Sequence, residues 1–203
     1  MEENGKMKRL SLVSLFIVSL VAVPAMAYNV ANSSWTEVCV FSTTCSVTVT
    51  DYSSPVLGNG FLQSRIYQGQ PGSTGAGKYV YEYRVDLRQV AGITYPPSVD
   101  YVAIYNAGPL LQFDYNFDAN ATDQVFVITS GGTGTKGLSS AFLFSPWSYF
   151  QFSSPIYAGS YPGGGESSYF FGFASNYPPT LRIISVHTDS GWVTVTGYAP
   201  NVP

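Results

Sequence analysis

The stretch 78–90, KYVYEYRVDLRQV, constrains this chain more than any other, because apolar and charged residues alternate through it from Tyr81 to Arg88. Side chains leave a β-strand alternately to its two faces, so a period of two over this length reads as a strand whose faces differ chemically. Tyr79, Tyr81, Tyr83, Val85 and Leu87 make the apolar side; Glu82, Arg84, Asp86 and Arg88 make the charged one. The pattern predicts one face against a core and the other in water. The charges alternate in sign, so neighbours attract, although an exposed pair contributes only about 0 to 1 kcal/mol.

Residues 1–27 read as a secretory signal peptide: Lys6, Lys8 and Arg9, an apolar run over 10–23, then the small-x-small site Ala25-Met26-Ala27. That run is short for a membrane span and ends at Pro24. The expectation is a single domain over 28–203, secreted to the extracellular space, the cell surface or the periplasm, with no integral membrane segment after cleavage. The chain of 203 residues has nine basic and twelve acidic side chains, a net charge of −3, and no basic cluster, which argues against nucleic acid and against an anionic membrane surface as partner. Cys39 and Cys45 are the only cysteines, and in an exported chain they are expected to pair. So short a loop is worth roughly 2 to 2.5 kcal/mol in the chain-entropy model, enough to pin a hairpin tip.

Beyond the leader no segment shows a 3.6-residue apolar period, while short β-type runs recur between Gly, Pro, Ser and Asn turns. Strands are expected at 37–41 and 45–50 as a first hairpin, and at 60–68, 79–88, 99–106, 111–120, 124–130, 138–144, 147–152, 169–175, 181–188 and 192–198. Residues 153–168 form the longest irregular region, read as a crossover between sheets, with a binding loop as the alternative. The fold class is all-β, an antiparallel β-sandwich of immunoglobulin-like or jelly-roll type with about ten strands. The C-terminal hairpin, rich in Ile, Val, Thr and Trp, is expected in or near the sheet interior.

Four patterns bear on chemistry. The segment 72–78, GSTGAGK, matches seven positions of a phosphate-binding loop, but Tyr79 stands where Ser or Thr is needed and a strand follows where a helix should begin. Asp114, Asn116 and Asp118 match the opening of a calcium loop, with Asp123 as a further oxygen donor. Ala119 and Val125 occupy the glycine and closing-glutamate positions, and a straight strand spaces its side chains too widely for one ion. Calcium is therefore the one cofactor to weigh, and a solvated strand face is the preferred reading. His187, the only imidazole, reads as a half-buried strand histidine; no G-x-S-x-G elbow accompanies it. Glu37, Glu82 and Glu166 are the glutamates open to a two-carboxylate glycosidase.

These features favour a non-catalytic protein. Aromatic rings stack on sugar rings, and Trp35, Tyr161 and Tyr177, beside turns, are the candidates for exposed ligand-binding rings. Trp147, Tyr149, Phe150 and Phe152 serve a core equally well. YVYEYRV at 79–85, GESSYFFGFASNYPP at 165–179 and the terminal VTVTGYAP together resemble the secreted domain of bacterial PEP-CTERM proteins, over roughly 55–200. The chain departs from that family in having no PEP motif, membrane helix or basic tail at its end. The resemblance implies an exported bacterial domain of matrix or surface without assigned catalytic residues. The expected function is thus adhesion or surface structure, with itself or a polysaccharide as partner; carbohydrate binding is the alternative, and glycoside-active enzyme the third.

Overall fold

The computed structural model describes residues 25–34, 38–90 and 97–203. Trp35, Glu37, residues 91–96 and the leader through residue 24 lie outside the described residues. The elements are β1 (Met26–Ala27), β2 (Val30–Ser33), a helical turn α1 (Val38–Phe41), β3 (Thr50–Pro55), β4 (Phe61–Gln68), β5 (Tyr79–Asp86), β6 (Ser98–Tyr105), β7 (Val125–Ile128), β8 (Leu138–Phe144), β9 (Trp147–Tyr157), β10 (Phe170–Ser175), β11 (Pro179–Thr188) and β12 (Gly191–Pro200). They build two six-stranded sheets, β1-β8-β9-β6-β11-β12 and β2-β7-β10-β5-β4-β3. The all-β sandwich is as expected, with more strands than anticipated and one parallel pair, β2 with β7. Among the described residues no helix is long and apolar enough to cross a membrane.

The main core lies between the sheets. Tyr81, Tyr83, Val85 and Leu87 meet Phe171 and Phe173 of β10, and Val102, Ile104, Phe150, Ile184 and Val186 of the facing sheet. Phe150 stacks on Phe173 with centroids 5.9 Å apart. Two buried tyrosines need acceptors for their hydroxyls, and each finds a main-chain carbonyl: Tyr81 donates to Tyr177 and Tyr83 to Tyr198, both at 2.8 Å. Burial pushes both phenols well above the usual range.

The charged face of β5 is not in water. A second, smaller core roofs it, in which Val80, Tyr67 of β4 and Phe126 of β7 pack with Val40 and Phe41 of α1 and with Phe113 and Tyr115. Glu82 and Asp86 are buried beneath or beside this roof. Alternation reports that two faces differ; it does not report what loops later fold across the more polar one.

Other expectations are corrected by the same roof. The first hairpin does not form. Cys39 and Cys45 do pair, with Cα atoms 4.3 Å apart, but the carbonyls of Val40 and Phe41 accept from the amides of Gly75 and Gln70, so the main chain of this segment bonds to the glycine-rich loop and forms no ladder with 45–50. Gly75 is what lets Phe41 in, since a Cβ there would sit 2.1 Å from the ring. Nor is 111–120 a strand: Phe113 pairs only with Asp123, and Phe117 and Ala119 adopt φ of 59° and 69° in the turn between. In the C-terminal hairpin β11 is interior but β12 is an edge strand. Its Thr196 and Tyr198 amides donate to Ser54 and Ser64 of the other sheet, which closes that corner of the sandwich. The irregular region is shorter than expected because β9 runs on to Tyr157, and it does cross from one sheet to the other.

Candidate functional site

Among the described residues, none roofs the outer face of the first sheet. Strand parity and register arrange its side chains in three rows that run across the strands. One row is Gln151, Tyr101, His187 and Trp192; the next is Phe142, Tyr149, Ala103, Ser185 and Thr194; the third is Phe144, Trp147, Tyr105 and Ile183. The middle row has the smallest residues at its centre. Ala103 faces outward yet is only 1% exposed, because the larger side chains of both flanking rows rise above it.

The result is a trough. A hollow of about 190 Å³ is lined by Ala103, Ser185, Trp147, Tyr149 and Trp192. A second of about 200 Å³ adjoins it through Tyr149 and Trp192 and adds Tyr101, Phe142 and His187. A third of about 330 Å³ adjoins it through Trp147 and adds Tyr105, Arg182 and Ile183. The rings brace each other. Phe142 and Tyr149 stack at 5.2 Å, Tyr105 meets the edge of Trp147 at 5.3 Å, and Tyr149 meets Trp192 at 6.0 Å. Trp192 and Tyr105 remain about half exposed and Ile183 more so.

Polar groups sit at the margins. His187 Nδ1 lies 2.6 Å from Asp100 Oδ1, and its ring is 4.8 Å from that of Trp192. Among the described residues no hydroxyl bonds the other ring nitrogen, so a Ser-His-Asp triad is not assembled here. Arg182 donates to Asn201 Oδ1 and to the Val202 carbonyl, each at 3.1 Å.

The rings singled out from sequence lie elsewhere. Tyr161 is 65% exposed, but its ring rests over Gly164, in the loop that hydrogen-bonds to Arg88. Tyr177 is half-buried, set against Gly108, and its carbonyl serves Tyr81. Tyr81 and Asp86 are five strand residues apart, about 17 Å, and Arg88 lies beyond Asp86, so the two rings belong to different regions. Trp35 lies outside the described residues. The signal that could have found the trough was aromatic residues at both parities: Trp147 and Tyr149 alternate with Phe150 and Phe152, and Tyr101 and Tyr105 with Val102 and Ile104.

The acidic loop builds its own turn. Asp114 accepts the amides of Asp118 and Ala119, Asn116 that of Asp118, and Asp118 that of Asn120. Asp123 accepts the buried amide of Tyr115 at 3.1 Å. Among the described residues no group of three or more acidic, His or Cys side chains is arranged to hold a metal ion. The glutamates are likewise engaged: Glu82 by Tyr67 and Arg65, and Glu166 by Lys136 and the amide of Tyr157. Glu37 lies outside the described residues. No family model, curated protein or solved structure matches this chain.

Proposed function

We propose that the protein is an exported, non-catalytic adhesion domain of a cell surface or extracellular matrix, and that it attaches to polysaccharide through the outer face of its first sheet. The observation that carries this reading is the ring-walled trough over Ala103 and Ser185. Apolar side chains cluster on that face instead of being scattered singly, which is how binding surfaces differ from ordinary ones. The C–H faces of a sugar ring suit the negative face of an aromatic ring, and its hydroxyls suit Ser185 on the floor and the polar margin offered by Gln151, Thr194 and the His187–Asp100 pair. Asp100 beside this face is engaged with His187; the paired acids of glycoside hydrolysis are not among its three rows. Export is supported by the leader and by the Cys39–Cys45 disulfide. The resemblance to PEP-CTERM proteins supports a bacterial surface as the setting.

The test is affinity electrophoresis of the disulfide-intact protein through gels that contain a panel of polysaccharides. Retardation is expected, and Tyr149→Ala and Trp192→Ala should each weaken it about tenfold, about 1.4 kcal/mol, while Tyr161→Ala leaves it unchanged. A protein that no polysaccharide retards, or one whose retardation survives both substitutions, defeats this reading.

A further inference from the structure

Building on the polysaccharide reading, we infer that the ligand is a neutral, soluble glycan chain, held by an internal segment of roughly four sugar rings that lies across the strands. Three observations converge on this class: the shape of the trough, the tilt of its rings and its charge.

The middle row runs from Phe142 on β8 to Thr194 on β12, crossing β9, β6 and β11. Four inter-strand steps of roughly 4.8 Å make this about 19 Å, the length of roughly four pyranose rings in an extended chain. Among the described residues both ends are open: β12 is the last strand of the sheet, and beyond β8 lies the two-residue β1. A chain longer than the trough therefore passes out at either side, and neither terminus has to be recognised.

Along most of the trough the rings meet at steep angles: Tyr149 and Trp192 differ by 70° in plane and Tyr105 and Trp147 by 72°, while Phe142 lies nearly parallel to Tyr149, at 11°. A crystalline polysaccharide offers a flat sheet of sugar faces, and flat stacking needs coplanar rings. Rings that stand as walls about a floor of Ala103 and Ser185 instead receive one chain whose successive sugars turn toward different walls.

Charge excludes the acidic polymers. A polyuronate repeats its carboxylate along the chain and calls for cations at matching intervals, whereas the middle row carries none and the protein has a net charge of −3. Arg182 borders only the third hollow, where Asn201 and Val202 hold it.

The closing experiment compares three probe classes against the full exported protein. The soluble neutral class is mixed-linkage β-glucan, arabinoxylan, galactomannan and soluble starch; the acidic class is alginate and polygalacturonate; the insoluble class is crystalline cellulose and chitin. For any neutral polymer that binds, calorimetry then follows its oligosaccharides from two to six units. Binding to a neutral soluble polymer is expected, with affinity rising at least tenfold between two and four units and levelling beyond that. Ser185→Tyr, which raises the floor, should abolish retardation with the thermal midpoint unchanged. If that variant fails to fold, Thr194→Trp at the open end serves, and should remove the gain from the fourth unit while keeping binding of the dimer. Binding confined to the acidic or the crystalline class, affinity flat beyond two units, or full binding by the folded variants overturns the inference and leaves the general polysaccharide reading standing. Binding to no class at all defeats that reading itself.

Discussion

Glu82 holds a carboxylate at 1% exposure in the middle of a sheet, a position tolerable only if its charge is answered. The Tyr67 hydroxyl donates to it at 2.9 Å, and Arg65 stands 3.6 Å away, itself 3.2 Å from Asp51. Arg65 and Arg84 flank Phe170 at 4.5 and 4.9 Å from its centroid. Asp86 follows the same rule: burial raises its carboxyl, but hydrogen bonds and charge from Arg88, with Arg84 behind, hold it below the usual range. Asp123 goes the other way. Burial raises it first, the Tyr115 amide opposes, and Asp118 and Asp114 push it further up. A carboxyl raised in the folded state binds its proton more tightly there than in the unfolded chain, so its contribution to stability falls as pH climbs upward from 3.8. Asp123→Asn keeps an acceptor for Tyr115 and removes the charge. Urea midpoints between pH 3 and 7 should show the variant gaining on the natural protein as pH rises; a constant difference would mean that Asp123 titrates alike in both states.

β10 depends on a residue that is barely there. Gly172 lies opposite Glu82 on one side and Phe126 on the other, and a Cβ at that point would meet the Tyr81 carbonyl at 2.1 Å and the Phe126 ring at 2.8 Å. Neither neighbour is free to give way, because the carbonyl belongs to the central strand and the ring to the second core. Gly172→Ala should cost about 2 to 4 kcal/mol in chemical denaturation. Gly137→Ala, whose nearest contacts are ordinary at 3.8 and 3.9 Å, should stay within about 0.5 kcal/mol. Equal effects would show that the close approach is relieved at no cost. At this scale much of the fold was legible in the sequence: β4 to β12 fall where β-type runs stand between turn residues, because such runs are set by neighbours within the same strand. What was hidden depends on partners remote in sequence. The run at 111–120 alternates as cleanly as β5, yet it became a turn because Phe113 and Tyr115 were drawn into the roof with Phe41, while Asp114 and Asp118 found amides of their own loop. The edge position of β12 was hidden for the same reason, since Ser54 and Ser64 that cover it lie far away in the chain.

The whole molecule is asymmetric in its layers, and that asymmetry is what made the site hard to read. The second sheet is covered on both faces, by the main core on one and the small roof on the other, so its polar parity was consumed by structure. Among the described residues the first sheet is covered on one face, and its aromatic outer parity stays open. A sequence in which both parities are aromatic does not say which sheet receives a roof. The layers do predict where stability resides. Backbone amides in β5 and β10 lie under apolar cover on both sides, whereas those of β6, β9 and β11 have Tyr101, Tyr105, Trp147, Tyr149 and Ile183 on an open face. Native-state hydrogen exchange should therefore find the slowest amides in β5 and β10, opening only with global unfolding, and faster ones in β6, β9 and β11. Adding a bound glycan should slow β6, β9 and β11 while β5 and β10 stay at the global limit, because a ligand in the trough supplies the first sheet with the second cover that it lacks. Protection in β6 and β9 equal to that of β5 before any ligand is added would mean that the roof of Phe41, Phe113 and Tyr115 contributes little to stability, and that the difference between the sheets is one of shape alone.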